Sequence, residues 1–261
     1  MTSPIEPRTA SLYHASRAPA VEPTTAAGIV LTAIASYLVA SALAPAALRF
    51  VVAQLALVVV AGVGARIAHP ARPLAALGLR GAPLRFFVAA IAVGATAWYV
   101  NATVADWLFA KLALPRDQAI HLQALVDRPS LGQSLALFGL VPAVCEEIVF
   151  RGVLARSLGR RTSLLAAAAI SAVVFSAYHV SLIQSLPTLT LGALLAVIAI
   201  RADSVAPSIV AHAINNAMAI AVSRSALPEL TGWIGRHPVA AVAGCAAATA
   251  GGIVLAARRP A

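Results

Sequence analysis

The sequence predicts an all-α fold, a polytopic transmembrane helical bundle of about eight spans, and three observations predict it. Hydrophobic residues make up 61% of the 261 positions and charged residues only 11%, far from the balance of a soluble domain. The apolar residues gather into runs of about 20, the length that crosses a bilayer core. Most of the arginines fall between those runs. The net charge of +10 does not point to nucleic acid, because the arginines stand singly or in pairs and build no continuous basic face. The positive charge is instead topological, as in loops that stay cytoplasmic.

Residues 1–23 are rich in Pro, Ser, Thr and charge without a hydrophobic period, and are expected to form a mobile tail. The first apolar run, 24–43, ends in Ala42-Leu43-Ala44, which resembles a signal-peptidase site. Pro45 and the long polar lead-in argue against cleavage. Further spans are expected over 48–67, 86–108, 131–157, 163–182, 183–200, 204–222 and 239–257. The sixth of the eight is the weakest, being short and carrying Pro187 near its start, where proline is tolerated. This divides the chain into N-terminal membrane helices over 24–130, a core over 131–222 and a C-terminal membrane helix within 223–261. The stretch 66–85, with scattered Arg, Pro and Gly, reads as an internal linker.

With the N-terminus inside, cytoplasmic segments hold Arg8 and Arg17, then Arg66, Arg72, Arg80 and Arg85, then Arg156, Arg160 and Arg161, then Arg201, and finally Arg258 and Arg259. The opposite face keeps a balanced loop in which Lys111, Arg116 and Arg128 meet Asp106, Asp117 and Asp127. Arg49, Arg224 and Arg236 are the exceptions. The chain is therefore expected in the cell membrane with both termini cytoplasmic. Cys145 and Cys245, the two cysteines, each lie in an apolar run and read as small packing residues, with no disulfide or thiolate metal site.

Glu146 and Glu147 follow the run 135–145 and so lie inside a span. A carboxylate there costs roughly 2.5 to 3.5 kcal/mol on insertion scales, so an adjacent pair demands partners or a use. Pro142 cannot donate its backbone bond to Phe138, and a kink is expected just before the pair. Arg151, four residues after Glu147, shares its helical face and favours an ion pair. Glu146 points about 100° away, free to face a cavity. The alternative is that both glutamates and Arg151 form only a buried packing network. Two more polar sets follow. Phe175 and His179 lie about one turn apart on one face, and so do His212 and Asn216. By helical rise His212 lies roughly 12 Å from its span start and His179 roughly 24 Å from its own, which puts the two histidines at different depths. Ordinary packing for Phe175 and an interhelical bond for His212 and Asn216 are the bland alternatives. Together, a carboxylate base, imidazoles to share protons and an amide donor are the parts that peptide hydrolysis needs.

In that order the motifs resemble the CPBP intramembrane protease family, which includes CAAX prenyl proteases and bacteriocin-processing proteins. Glu146 to Arg151 looks like EExxxR, Phe175 to His179 like FxxxH, and His212 to Asn216 like HxxxN. The resemblance implies an intramembrane endopeptidase of membrane-associated proteins or peptides, working in the lipid bilayer. It implies that Glu146 activates water with help from His179, that His212 and Asn216 stabilise the oxyanion, and that Glu147, Arg151 and Phe175 support them. Family members are also called metalloproteases, which makes Glu146, His179 and His212 candidate zinc ligands. No HExxH spacing compels a metal, and the cofactor stays open. The competing reading is a non-catalytic membrane protein, a transporter or a bacteriocin immunity factor, using the same residues to bind a proton or ligand. Polar residues confined to one half of the chain favour the enzyme.

Overall fold

A computed structural model describes residues 18–112 and 117–258 of the chain, and the described residues form helices and connecting turns with no strand. The helices are α1 Pro23–Leu43, α2 Arg49–Ala68, the short α3 Pro73–Ala76, α4 Leu84–Lys111 and α5 Asp117–Asp127. A long interrupted helix, α6, runs over 131–158. It is followed by α7 Leu164–Tyr178, α8 Leu182–Ala202, α9 Ala206–Ser223, α10 Pro228–Arg236 and α11 Pro238–Ala257. Each expected span is found as helix. The segment expected over 163–182 stops at Tyr178, where Val180 turns the chain through a positive φ of 47°.

Helices α1, α2, α4, α8 and α11 are long and apolar enough to cross a membrane. The sixth expected span, the weakest in the sequence, is one of them: α8 extends to 21 residues with Pro187 in its second turn. Asn101 of α4 supports that turn by donating to the Pro187 carbonyl at 3.5 Å and accepting from Thr190 at 2.8 Å. The helices that carry the polar motifs are α6, α7 and α9. One apolar cluster joins α1 and α2 to the second half of α6 and to Phe175 and Tyr178 of α7; another joins α4, α8, α9 and α11. Small residues set the spacing. A Cβ on Gly94 of α4 would lie 2.5 Å from the Ala211 carbonyl oxygen of α9, so only glycine allows that approach.

Helix α6 begins with a capping box: Ser130 accepts from the Gln133 backbone while the Gln133 side chain accepts from the Ser130 N–H. It then widens into a π-helix over Leu135–Leu140, immediately before Pro142. The expected disturbance at Pro142 therefore takes the form of a π segment, with the missing donor absorbed by the wider register. The Asn216 amide of α9 faces two carbonyls of this segment, Phe138 at 3.5 Å and Gly139 at 3.4 Å. A second π segment, Glu147–Ala155, starts at the glutamate pair, and all nine of its residues are buried.

Two expectations about connecting segments are corrected. The stretch 66–85 is not a plain linker: it contains α3 and docks on the end of α6, where buried Arg156 donates to the Ala75 and Ala76 carbonyls at 3.4 and 3.0 Å. Gly78 sits there with φ +73°, and a Cβ would meet the Arg156 guanidinium at 2.8 Å. Of the expected tail, residues 1–17 lie outside the described residues, but 18–22 are packed. The Ala18 N–H donates to Asp203 at 2.8 Å, Arg160 donates to the Ala18 carbonyl at 2.8 Å, and His69 to the Ala20 carbonyl at 3.1 Å. Asp203, in the left-handed region at the end of α8, also accepts from Arg80, Arg156 and Arg160 at 2.8 to 3.2 Å. One carboxylate thus gathers three arginines and the segment 18–22 at a single end of the bundle. Arg224, an exception in the charge pattern, has a structural use: it donates to the Val126 and Pro129 carbonyls and the Ser134 hydroxyl, fastening the turn between α5 and α6.

Candidate active site

The polar residues of α6, α7 and α9 converge. Glu147 and Arg151, four residues apart, form the expected pair, with Nη1 2.8 Å from Oε1 and both side chains fully buried. That guanidinium also donates through Nη2 to the Gly192 carbonyl of α8 at 3.3 Å and lies 4.2 Å over the Phe175 ring. Desolvating an ion pair is tolerable only when further contacts of this kind surround it. Nδ1 of His212 lies 2.9 Å from the same Glu147 oxygen. A carboxylate can only accept, so Nδ1 carries a hydrogen and Nε2 is turned the other way. Nε2 faces Oε2 of Glu146 at 4.0 Å.

His179, at the end of α7, is oriented by the same logic. Its Nδ1 lies 2.9 Å from the Phe175 carbonyl, which makes Nδ1 the donor and leaves Nε2 available. The Phe175 ring bridges the two imidazoles, with centroids 4.8 Å from His179 and 6.0 Å from His212, both edge-on. The depth difference expected from helical rise is therefore no barrier, because Phe175 lies a turn above His179 and reaches across to α9. Glu146, His179, His212 and Asn216 all line one cavity of about 700 Å³. Phe175 contributes to its wall, whereas Glu147 and Arg151 stand behind it. Asn216 is held to the α6 carbonyls and to Asn215, whose amide donates to its Oδ1 at 3.4 Å.

Sequence reasoning missed the first half of the chain's share in this cavity. Tyr37 of α1, Gln54 of α2, and Trp98 and Asn101 of α4 also line it. Gln54 touches the central carboxylate: its Nε2 donates to Glu146 Oε1 at 3.0 Å. The available signal was an amide in the second turn of α2, within the otherwise apolar run 51–65, a placement that in itself suggests function. The tyrosines pack with each other, Tyr37 against Tyr178 at 4.9 Å between centroids.

The candidate zinc ligands Glu146, His179 and His212 share the cavity wall, but among the described residues no three His, Cys, Asp or Glu side chains come together as a metal-holding group. The residues do not fit a preformed three-ligand site. What the arrangement offers is a carboxylate with one oxygen toward an imidazole, a second imidazole with a free ring nitrogen, and an apolar wall that strengthens each polar contact.

Comparison with known proteins adds one finding. Residues 129–218 match the family model described as Rce1-like, type II CAAX prenyl endopeptidase. The matched segment begins just before α6 and ends within α9, so it holds all three motifs and leaves out Tyr37 and Gln54. No curated protein and no solved structure matches the chain.

Proposed function

We propose that this multi-pass membrane protein, similar over 129–218 to the type II CAAX prenyl endopeptidases, hydrolyses a peptide bond in a membrane-associated protein or peptide by glutamate-activated water. The observation that carries the reading is the pairing of Glu146 Oε2 with His212 Nε2 across 4.0 Å in a cavity that also holds His179 and Asn216. In this reading Glu146 takes a proton from water, and the water oxygen adds to the scissile carbonyl carbon. Charge moves onto the carbonyl oxygen, where the protonated imidazole of His212 and the amide of Asn216 donate to it. Collapse of the tetrahedral intermediate breaks the C–N bond. The proton held by Glu146, passed with the help of His179, goes to the leaving nitrogen. Glu147 and Arg151 support this from behind: Glu147 accepts from His212 Nδ1 and so fixes its tautomer, and Arg151 pairs with Glu147 at 2.8 Å.

The arginine-rich end gathered by Asp203 is read as cytoplasmic on the charge rule, which places both termini on that side. The two carboxylates differ in place and partners: Glu146 lines the cavity and accepts from Gln54, whereas Glu147 stands behind it, paired with Arg151 and His212.

The test is cleavage of a membrane-peptide library by purified protein in liposomes, wild type against Glu146→Ala, with and without a zinc chelator. Cleavage lost in Glu146→Ala is the expected result, and equal cleavage by both proteins would remove Glu146 as the base. Because the three candidate ligands do not form a metal-holding group, chelation is expected to leave wild-type cleavage within about two-fold, the scatter of an untouched rate. Activity abolished by chelator and restored by zinc would contradict that. A protein that binds library peptides without cleaving them would support the non-catalytic alternative.

A further inference from the structure

We propose that Gln54 of α2 is a positioning residue for Glu146, selecting which carboxylate oxygen faces the reaction; this rests on the hydrolytic reading above. Gln54 is 1% exposed. It is the only side chain with a hydrogen-bonding group between Phe50 and Ala65, so nothing else on that stretch of α2 can meet the carboxylate. Because a carboxylate only accepts, the amide nitrogen must face it, and Nε2 donates to Glu146 Oε1 at 3.0 Å. The other oxygen, Oε2, is the one turned to His212 Nε2. The amide thus occupies one oxygen and leaves the other for proton exchange.

The remaining half of the amide argues for the same role. Gln54 Oε1 is buried and has no hydrogen-bond partner among the described residues. An amide placed only to tie α2 to α6 would satisfy both ends, since a buried acceptor without a partner is a net loss. Gln54 satisfies one end, and that end is on the carboxylate that lines the cavity. A carboxylate on two single bonds has several rotamers of similar energy, so a donor fixed in a packed helix is what holds one of them. The contact bridges residues 92 positions apart and comes from outside the segment that matches the protease family. The catalytic carboxylate is therefore oriented by the N-terminal helices, whose apolar remainder gives no hint of it.

The experiment uses the full chain in nanodiscs. The sequence contains five glutamates, so a ¹³Cδ-glutamate label gives a spectrum simple enough for the Glu146 resonance to be assigned by its loss in Glu146→Gln. Gln54→Leu is expected to move that resonance. With the library peptide that wild type cleaves fastest, it is expected to lower kcat about 10- to 100-fold while KM stays within about three-fold, as for a misplaced catalytic group. Should Gln54→Leu fail to fold, Gln54→Met, which keeps a similar length and volume and has no N–H donor, carries the same test. An unmoved resonance overturns the proposal whatever the cleavage. A moved resonance with unchanged kcat, or a parallel fall of kcat, KM quality and thermal midpoint, overturns the positioning role as well. If Glu146→Gln cleaves as wild type does, the hydrolytic reading fails, while the resonance still judges whether Gln54 orients Glu146.

Discussion

Nδ1 of His212 meets Oε1 of Glu147 at 2.9 Å, and this contact decides what the imidazole can do. It turns Nε2 toward Glu146 and places a buried carboxylate behind the ring, so in the proposed mechanism the second glutamate of the pair acts through the histidine. Glu147 is in turn held by Arg151, and Arg151 by the Gly192 carbonyl and the Phe175 ring. The result is a chain of buried contacts running from α8 through α6 to the cavity.

Breaking that chain at one link is expected to destabilise the protein. Glu147→Ala leaves the fully buried Arg151 without its counter-charge, a loss on the order of 3–5 kcal/mol, read as a lower unfolding midpoint in detergent. Replacing both partners, Glu147→Leu with Arg151→Met, removes the orphaned charge and is expected to restore most of the stability while cleavage stays low, because His212 has lost its orienting carboxylate. Recovery of cleavage along with stability would show that the pair is only structural.

The two histidines are expected to matter for rate more than for stability. His212→Gln and His179→Gln keep a polar side chain of similar reach but cannot carry a proton, and each is expected to lower kcat about 100-fold or more with a near-normal unfolding midpoint. The check is single-turnover cleavage of one library peptide by each variant. Wild-type kcat in either variant would remove that residue from the proton path.

Asp203 organises a cluster that shares no residue with the cavity wall. Asp203→Asn retains a residue that tolerates the left-handed backbone at φ 50° but removes the charge that Arg80, Arg156 and Arg160 share. Arg156 is almost fully buried, so a loss of roughly 2–4 kcal/mol is expected. Limited proteolysis within 18–22 and 69–80 should accelerate, since both segments are fastened through this cluster. Unchanged proteolysis and stability would mean that apolar packing alone holds them.

The spans and the three motifs were legible in the sequence because a bilayer imposes them: apolar runs must be long, and a carboxylate or imidazole inside one stands out. The Glu147–Arg151 pair was legible because four residues on a helix bring side chains together whatever surrounds them. Other features were not, for identifiable reasons. The first π segment of α6 precedes the Pro142 gap and has carbonyls facing the Asn216 amide of another helix. Gln54 and Glu146 meet only after α2 packs against α6, which no local spacing reveals. Arg80, Arg156, Arg160 and Asp203 read as loop charges, and only their convergence makes them a clamp. The two histidines were expected at different depths, and the intervening Phe175 ring, which reads alone as packing, is what joins them.

The most direct test of the central claim is single-turnover cleavage by Glu146→Gln, which keeps the side-chain volume and removes the base. The expected result is a rate reduced about 1,000-fold or more, within the range for loss of a catalytic acid–base group, with the unfolding midpoint close to that of wild type. Cleavage by Glu146→Gln at the wild-type rate would contradict the account.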